Sequence, residues 1–475
     1  MPVNATTAAK YIDEKRSLLT KLSDDIWEYA EVGLHEHRSA KALADTLESE
    51  GFTVERGVAG MPTAFVGTWG SGSPVIGFLG EYDALPGVSQ AATPVKQELK
   101  PGAAGHGCGH NLLGVGALAG AIGLAKELQG RGLPGTVKYF GCPAEENFSG
   151  KAFMARDGLF DGLDICMTWH AGSLNRVRNG SSLANNAINV TFYGRTAHAA
   201  GDPYNGRSAL DALQLMNLGV EFLREHMPSK ARIHYVITNG GGQPNVVPAK
   251  ASAWYLIRAP QRSEVDELYK RVLNCAYGAA QMTETKVEIE LIKAIWNMLS
   301  NPVVEDVLEA AAHRVGPPKF SEKDVEFARE IAKSFNAGQV EAQLRKEGVP
   351  EEVFGQVLNT TWLPRPAVPK DAEGSTDVSD ASWCCPLAEF RVACQAIGTP
   401  GHSWQFAAQS GMSIGHEGML VAGKILAEAG LEFVMNPSLV EKAKAEFEKA
   451  TGGQKYVSAI PKDHKPKFDR FDKND

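Results

Sequence analysis

The sequence predicts an α/β fold, in which a larger domain with a mixed, mostly parallel sheet is interrupted by a smaller ferredoxin-like domain. Three observations support this prediction. Strand-like and helical segments alternate over the first 170 residues, as they do in parallel α/β sheets. The segment 188–295 then has the order β-α-β-β-α-β of a ferredoxin-like unit. Finally, 475 residues exceed what one hydrophobic core usually serves, so two or three domains are expected.

The N-terminal region predicts two helices followed by three short strands. Apolar residues recur at helical spacing from Ile12 to Ile26, and Gly33 separates this run from a second helix. The predicted strands are Phe52–Glu55, Thr63–Thr68 and Val75–Leu79. The last of these runs is apolar throughout, which is typical of a strand that is buried on both faces.

The next segments continue the alternation. We expect a long loop at 87–104, an apolar helix at Asn111–Leu128, and strands at Thr136–Phe140 and Asp164–Trp169. Ligands of parallel α/β sheets bind at the carboxyl ends of the strands. Four chemically reactive groups follow predicted strands and should therefore meet at that edge: Asp83, the stretch Gly105–Asn111, the pair Glu145 and Glu146, and His170.

The smaller domain is predicted from six elements, and about a hundred residues are enough for an independent domain. These elements are Ile188–Tyr193, Ser208–Glu225, Arg232–Thr238, Ser252–Ile257, Ser263–Met282 and Lys286–Ile295. Helices then resume at Asn301–Val315, and a strand is expected at Leu387–Gly398. The predicted boundaries are 1–184 and 298–475 for the larger domain, 185–297 for the smaller domain, and 317–373 for an insertion.

Composition and charge argue against several classes of protein. The formal net charge is −8 and no long basic run occurs, so neither nucleic acid nor a membrane surface is expected as a partner. We find no stretch of about twenty apolar residues and no secretory signal. Seven cysteines without regular spacing favour reduced thiols over a disulfide framework. These features predict a cytoplasmic protein.

The stretch Gly105–Asn111 predicts a metal site. Its glycines allow the backbone to turn tightly, which brings Cys108 and His110 toward one point. Thiolate and imidazole are ligands that suit a zinc-like divalent ion, and Glu145 and Glu146 offer oxygens to the same ion. Taken singly, a cysteine is more often a small buried hydrophobic residue, and a Glu pair is more often a solvated face. The two stretches together favour the metal site.

Two further histidines lie in turn-rich stretches that follow predicted strands. His198 follows the first strand of the smaller domain, and His402 follows the last strand of the larger one. The ordinary interpretation of each is a turn residue whose hydrogen bonds are satisfied. A cysteine hydrolase that uses Cys108 and a histidine is a further alternative, but it leaves Glu145 and the groups near it without a role.

Taken together, these stretches resemble the zinc-type metallopeptidase family that includes aminoacylases, carboxypeptidase G and auxin-conjugate amidohydrolases. The resemblance covers nearly the whole chain in the order of the family. The motifs that carry it are Gly80–Pro86, Cys108–His110, Pro143–Glu146, His170, Gly194–Ala199, Pro244–Pro248, Gly374–Asp377 and His402. It implies a catalytic domain that is interrupted by a ferredoxin-like lid and dimerisation domain.

The resemblance also implies roles for individual residues. The ligands of a centre with two divalent ions, zinc or manganese, would be Cys108, His110, Glu146, His170 and His402. Glu145 would be the general base, and Asp83 would either hold a metal ligand in place or have a purely structural role. The residues that hold the substrate's carboxylate and its scissile carbonyl would be His198, Asn245 and Arg258. Many relatives have Asp where this chain has Asn111, so a carboxylate role at that position is not implied.

The implied activity is hydrolysis of the amide of an N-acyl or N-aroyl amino acid, a small-molecule substrate. The first substrate expected is p-aminobenzoyl-glutamate, which would give p-aminobenzoate and glutamate. A dipeptidase or an aminoacylase of different acyl specificity is the alternative within enzymes, because the site chemistry is the same. A non-catalytic partner protein is the alternative outside enzymes. The family implies a homodimer, to which a related second chain could bind, with His198 serving the neighbouring site.

Overall fold

The computed structural model describes residues 6–366, residue 369 and residues 374–466. Part of the predicted insertion, 367–368 and 370–373, lies outside the described residues, as do residues 1–5 and 467–475 at the predicted domain limits.

The described residues form two sheets and their covering helices. The strands are β1 Thr53–Arg56, β2 Phe65–Ser71, β3 Val75–Glu81, β4 Gly135–Cys142, β5 Ile165–Gly172, β6 Arg176–Val177, β7 Ala184–Tyr193, β8 Arg232–Asn239, β9 Lys250–Ala259, β10 Lys286–Ile295 and β11 Leu387–Ala393. The α-helices are α1 Thr7–Glu14, α2 Arg16–Tyr29, α3 His37–Ser49, α4 His110–Arg131, α5 Gly150–Arg156, α6 Ala209–Leu223, α7 Arg262–Thr283, α8 Pro302–Val315, α9 Glu322–Ala332, α10 Ala337–Lys346, α11 Val378–Ser382, α12 Trp404–Ser410, α13 Ser413–Met435 and α14 Pro437–Thr451. Short 3-10 helices occur at Val58–Gly60, Pro203–Asn205, Arg224–His226 and Glu351–Val353.

The larger sheet is parallel at its centre and antiparallel at its edges. Its strand order among the described residues is β1-β2-β4-β3-β5-β11-β6. The neighbours β4-β3, β3-β5 and β5-β11 are parallel, whereas β1-β2, β2-β4 and β11-β6 are antiparallel. The predicted mixed α/β sheet is therefore confirmed. The carboxyl ends of the four parallel strands lie at one edge of the sheet, where ligands bind in such folds.

Helix α4 packs in the centre of the larger domain, and its small residues allow close approach. A side chain at Gly116 would meet Trp169 of β5 at 2.6 Å, and one at Gly120 would meet Leu426 of α13 at 2.7 Å. No apolar stretch of membrane-spanning length was expected from the sequence, yet α4 has that length and apolarity. Its most apolar window is 94 % buried within the protein, so these apolar side chains contact other elements of the fold.

The smaller domain is an antiparallel sheet covered by two helices. The strand order in the described chain is β10-β7-β9-β8, and α6 and α7 pack against β7 and β9. Residues of these elements form a separate apolar core. The β-α-β-β-α-β order predicted for this region is the order observed. No observation tests the exact domain limits, which stay predictions.

Three local predictions differ from the structure. The N-terminal region holds three helices, because the first predicted helix divides at Lys15 into α1 and α2. Strand β5 continues to Gly172, so His170 lies inside the strand near its carboxyl end. Strand β11 ends at Ala393, so His402 follows after a longer loop than expected. That loop is supported by the insertion, because Gly398 packs against Val340 of α10.

Candidate metal centre

The loop that carries Cys108, before α4, is joined by a backbone hydrogen bond to the loop that carries His402, between β11 and α12. The His402 N–H donates to the Gly107 carbonyl at 3.1 Å, and His402 itself has a left-handed backbone with φ 53°. Gly109 caps α4 with φ 77°, a conformation that favours glycine, and a side chain there would meet Phe406 at 3.0 Å. His110 is thus the first residue of α4, and Cys108 precedes it in the turn.

His110 is held by Asp83, which fixes the ring orientation. Its Nδ1 lies 2.9 Å from Asp83 Oδ1 and 3.1 Å from the Asp83 carbonyl. An Nδ1 proton donated to these oxygens leaves Nε2 as an acceptor in the neutral ring. Nε2 is buried and has no hydrogen-bond partner among the described residues, although Glu81 Oε2 lies at 3.2 Å and Glu146 Oε1 at 4.0 Å.

The chain after β4 turns so that Glu145 and Glu146 both enter the site. Ala144 has a left-handed backbone with φ 59°, and its N–H donates to the buried Glu36 carboxylate at 2.8 Å. The Glu146 N–H donates to Asp83 Oδ2 at 3.0 Å. Asp83 therefore orients both the His110 ring and the Glu146 backbone, which accords with the supporting role expected of it from the sequence.

The predicted ligands converge in overlapping groups. Within the described residues, three groups have potential donor atoms within 4.8 Å of one another: Cys108, His110 and His170; Cys108, Glu146 and His402; and Glu81, His110 and Glu145. Cys108 Sγ lies 3.5 Å from His170 Nε2, and His402 Nε2 lies 3.5 Å from Glu146 Oε2. The His170 Nδ1 proton goes to the Ala171 carbonyl at 2.7 Å, which leaves Nε2 free to accept. Cys108 and His110 each belong to two of these groups, so the groups overlap and could hold more than one ion.

The donor set fits divalent metal ions. Sulfur, imidazole nitrogen and carboxylate oxygen are the ligands that zinc and related ions take in proteins. Two of these atoms, His110 Nε2 and Glu146 Oε1, are buried without hydrogen-bond partners among the described residues. Buried acceptors of this kind are costly unless a donor or a cation satisfies them.

The electrostatics of the site also favour a cation. Burial, followed by the charge of Glu145, raises the pKa of Glu146 to about 8. Burial, followed by the charge of Glu81, raises the pKa of Glu145. Burial likewise raises the pKa of the Cys108 thiol. A nucleophilic cysteine needs a lowered pKa, so these surroundings disfavour the cysteine hydrolase alternative. A divalent ion would instead offset the crowded negative charge.

The predicted substrate-binding residues lie in the smaller domain. His198 and Asn245 lie close together. The Ala199 N–H donates to the Asn245 carbonyl at 3.0 Å, and the backbones of His198 and Val246 pair in an isolated antiparallel β-bridge. Both residues are exposed, and His198 belongs to none of the donor groups found in the described chain. Arg258 on β9 is partly buried, and its Nε has no hydrogen-bond partner among the described residues.

Lys293 on β10, which interacts electrostatically with carboxylates of the site, was not predicted from the sequence. Burial lowers the pKa of Lys293, the charges of Glu145 and Glu146 act against this shift, and Arg258 acts with it. Lys293 is therefore within electrostatic range of both the carboxylate pair and Arg258. In the sequence, Lys293 differs from a surface lysine only in that it precedes the apolar residues Ala294 and Ile295 at the end of a strand. That pattern is too common to indicate a functional lysine.

A buried charge cluster behind the site was also not predicted. The Lys151 ammonium lies 2.7 Å from Glu81 Oε1 and contacts Asp377, and all three side chains are almost completely buried. Glu81 and Asp377 stand in motifs that carry the family resemblance, but neither had a role assigned there. Glu81 is two residues before Asp83 and could have been noticed as a second carboxylate at the same strand end.

Two neighbours of the ligands have structural roles instead. His106 Nδ1 accepts the Asn111 N–H at 3.3 Å, so its Nε2 donates to the Ile26 carbonyl at 3.0 Å. The Asn111 amide donates to Ser23 Oγ at 3.0 Å and to the Ser410 carbonyl at 2.9 Å. An aspartate could not make these donations, which explains why an amide suits position 111 in this chain.

Comparisons with known proteins give consistent results. A family model described as the peptidase dimerisation domain matches residues 185–280. One of the two named subunits of p-aminobenzoyl-glutamate hydrolase from Escherichia coli is 42 % identical over 466 residues, covering 96 % of this chain and 97 % of that protein. A Xaa-Arg dipeptidase of Mus musculus is 29 % identical, covering 93 % and 91 %. The solved structure of a dinuclear metal-binding M20 peptidase from Bacillus subtilis is 17 % identical with a TM-score of 0.56, covering 89 % and 99 %.

Proposed function

Because this chain belongs to the M20 family of metal-dependent amidohydrolases and peptidases, we propose that it hydrolyses the amide bond of p-aminobenzoyl-glutamate. It is an enzyme that acts on amide bonds, and the products here would be p-aminobenzoate and glutamate. One observation carries the proposal: two donor groups share Cys108 at the carboxyl edge of the sheet, and Glu145 lies beside them. The ligands of two divalent ions, zinc or manganese, would be Cys108, His110, Glu146, His170 and His402.

Glu145 would act as the general base and then as the acid. The bound ions would supply Lewis acidity toward the substrate carbonyl and toward water. Glu145 takes a proton from the attacking water and delivers it to the leaving nitrogen, so that the amine departs neutral. The left-handed turn at Ala144 aims this carboxylate inward next to Glu146. The adjacent carboxylates can therefore divide the two tasks, with one binding metal and the other moving protons.

His198 would donate a hydrogen bond to the carbonyl oxygen as negative charge develops there. Its Nδ1 accepts the Gly201 N–H at 2.9 Å and the Ala200 N–H at 3.2 Å. The neutral ring therefore carries its proton on Nε2, which is the tautomer that can donate.

A dimer would bring His198 to the neighbouring site. The edge strand β8 exposes Val236 and Ile237, and α6 exposes Leu218 and Phe222, all by 44 % or more. Exposed apolar residues on an unpaired strand edge are typical of an interface. These surfaces and the match to a dimerisation domain support a homodimer.

The amino-acid half of the substrate would be held by two cations. Arg258 Nε has no hydrogen-bond partner in the described part of the chain, and Lys293 lies within electrostatic range of Arg258 and of Glu145. The glutamate half of the substrate carries two carboxylates, whereas an amino acid with a neutral side chain carries one. A pair of cations therefore suits glutamate better. This match supports p-aminobenzoyl-glutamate over the dipeptidase alternative, which the 29 % identity to the Xaa-Arg dipeptidase keeps open.

We expect Arg258→Met to raise the KM for p-aminobenzoyl-glutamate by roughly 10–100-fold, the cost of losing a hydrogen bond to a charged group. Steady-state kinetics with each variant would measure it. Arg232→Met is the matched control, because Arg232 is the register partner of Arg258 on β8 but is exposed. An unchanged KM in Arg258→Met, or an equal rise in Arg232→Met, would remove Arg258 from substrate binding.

The decisive test is hydrolysis of p-aminobenzoyl-glutamate by the purified chain alone, with glutamate release measured before chelation, after chelation and after addition of manganese or zinc. We expect release that stops on chelation and returns with metal. No release from a protein that binds two metal ions would contradict this substrate and lead to acyl amino acids and dipeptides. Activity that appeared only when a related second protein was added would show that this chain requires a partner.

We further propose that the chain acts in the cytoplasm, in the breakdown of folate-derived compounds. The seven cysteines, all free among the described residues, suit a reducing compartment. The relative from Escherichia coli is named as one of two subunits of its enzyme, so a related second chain is a partner to test.

A further inference from the structure

We propose that Glu81 is a further carboxylate donor of the metal centre, aimed at the metal position that His110 serves. The buried pair Lys151 and Asp377 holds it there. This inference rests on the proposed metal-dependent function and adds a residue to the ligand set that the resemblance implied.

The contact between Glu81 and His110 places a carboxylate oxygen against a ring nitrogen. Glu81 is the last residue of β3, its side chain is 3 % exposed, and its Oε2 lies 3.2 Å from His110 Nε2. Because the Nδ1 proton is donated to Asp83, Nε2 of the neutral ring presents a lone pair. In this neutral tautomer, the lone pair faces a carboxylate oxygen in a buried place. Such an arrangement is satisfied by a cation that both atoms bind.

Glu81 is fixed in this orientation by a buried lysine. Its other oxygen, Oε1, lies 2.7 Å from Lys151 Nζ, which also contacts Asp377. The Lys151 N–H donates to Asp377 Oδ2 at 2.8 Å, so backbone and side chain of Lys151 bind the same carboxylate. With Lys151 occupying Oε1, Oε2 is the oxygen directed to the site. The geometry required of a ligand is therefore set in advance.

The balance of buried charge also calls for a cation. When both are ionised, Glu81 and Asp377 place two negative charges beside the single positive charge of Lys151, and none of these side chains is exposed by more than 3 %. An uncompensated buried charge is strongly destabilising. Glu145 lies within 4.8 Å of Glu81 and His110 and adds to the surplus. A divalent ion at the His110 position would compensate it.

An independent observation points to the same place. Glu146 Oε1 lies 4.0 Å from His110 Nε2, and both atoms are buried without hydrogen-bond partners among the described residues. His110 Nε2 therefore lies near two carboxylate oxygens, Glu81 Oε2 and Glu146 Oε1. A divalent ion bound by these atoms would satisfy all three of them.

The test is the metal affinity of Glu81→Gln, measured without reference to turnover. Metal-free full-length protein would be titrated with zinc and with manganese in competition with a chromophoric chelator. Glutamine keeps the size of the side chain, but its amide can donate to His110 Nε2 and occupy it. We expect the affinity for one of the two metal ions to fall by roughly 10–100-fold, the range found for changes around metal ligands. The affinity for the other ion should be unchanged.

Asp380→Asn is the matched control. Asp380 is a buried carboxylate on α11, near Asp377, but it accepts from Tyr456 Oη at 2.7 Å and from the Trp296 N–H at 3.2 Å. The substitution changes a buried carboxyl group of the same region without altering Glu81. Both metal affinities should therefore be unchanged in this variant.

The outcomes separate this inference from the proposed function. Wild-type affinity for both ions in Glu81→Gln would overturn the role of Glu81 and leave the proposed function intact, with His110 carrying a second ring proton instead. Wild-type protein that bound neither ion would overturn both. Should Glu81→Gln fail to fold, Glu81→Asp keeps the charge and withdraws the oxygen by one methylene. In Glu81→Asp the affinity for the same metal ion should fall, and an unchanged affinity would again overturn the inference.

Discussion

Glu145→Gln is expected to lower kcat for p-aminobenzoyl-glutamate by about 10²–10⁴-fold, the range that general acid–base catalysis supplies. The amide keeps the shape of the side chain but cannot accept the proton of the attacking water. KM should change little, because Glu145 is neither a predicted metal ligand nor one of the cations proposed to bind the substrate. Metal content, measured by elemental analysis of the purified variant, should remain at the wild-type value.

Glu146→Gln is the informative comparison, because it makes the same chemical change at the adjacent residue. Glu146 Oε2 lies 3.5 Å from His402 Nε2, and its Oε1 is buried without a hydrogen-bond partner among the residues that the structure describes. Loss of Glu146 should therefore deplete metal as well as activity. The two variants thus separate proton transfer from metal binding. Retained activity in Glu145→Gln, or metal loss in that variant, would exclude the base role.

The sheet and the convergence of the main site residues could be predicted because they follow from local rules. Alternation of strand and helix fixes which ends of parallel strands meet, and Cys108, Glu146 and His170 come near those ends. His110 and Asp83 were found by the same reasoning. The structure adds that Asp83 binds both the His110 ring and the Glu146 backbone, which explains why it follows β3 so closely.

The remaining features depend on long-range contacts that no local pattern encodes. Lys151 contacts Asp377, which lies 226 positions away in the sequence. Nothing in the local sequence distinguishes Lys151 from an exposed lysine, although its side chain is buried. The turn at Ala144 has a left-handed backbone without a glycine, so turn rules did not reveal it. The extent of β5 was underestimated because a histidine is not expected within a buried strand.

His198→Ala is expected to lower kcat by about 10²–10³-fold, the cost of removing one hydrogen-bond donor to a developing oxyanion. His198 belongs to none of the donor groups in the described part of the chain, so metal content should stay at the wild-type value. The tautomer set by Gly201 and Ala200 gives the physical reason, because only an Nε2 proton can stabilise the charge. Elemental analysis beside steady-state kinetics would measure both quantities, and loss of metal would place His198 among the ligands instead.

If the chain forms the proposed homodimer, a hybrid dimer would show which site His198 serves. One protomer would carry His198→Ala and the other Glu145→Gln, with two different tags used to purify the hybrid. If His198 acts across a two-fold interface, one site combines an intact Glu145 with an intact His198, and about half of the wild-type activity per dimer should return. If His198 acts within its own protomer, both sites lack one group and the hybrid stays as inactive as its parents. The exposure of His198 and the apolar surfaces of β8 and α6 favour the first result.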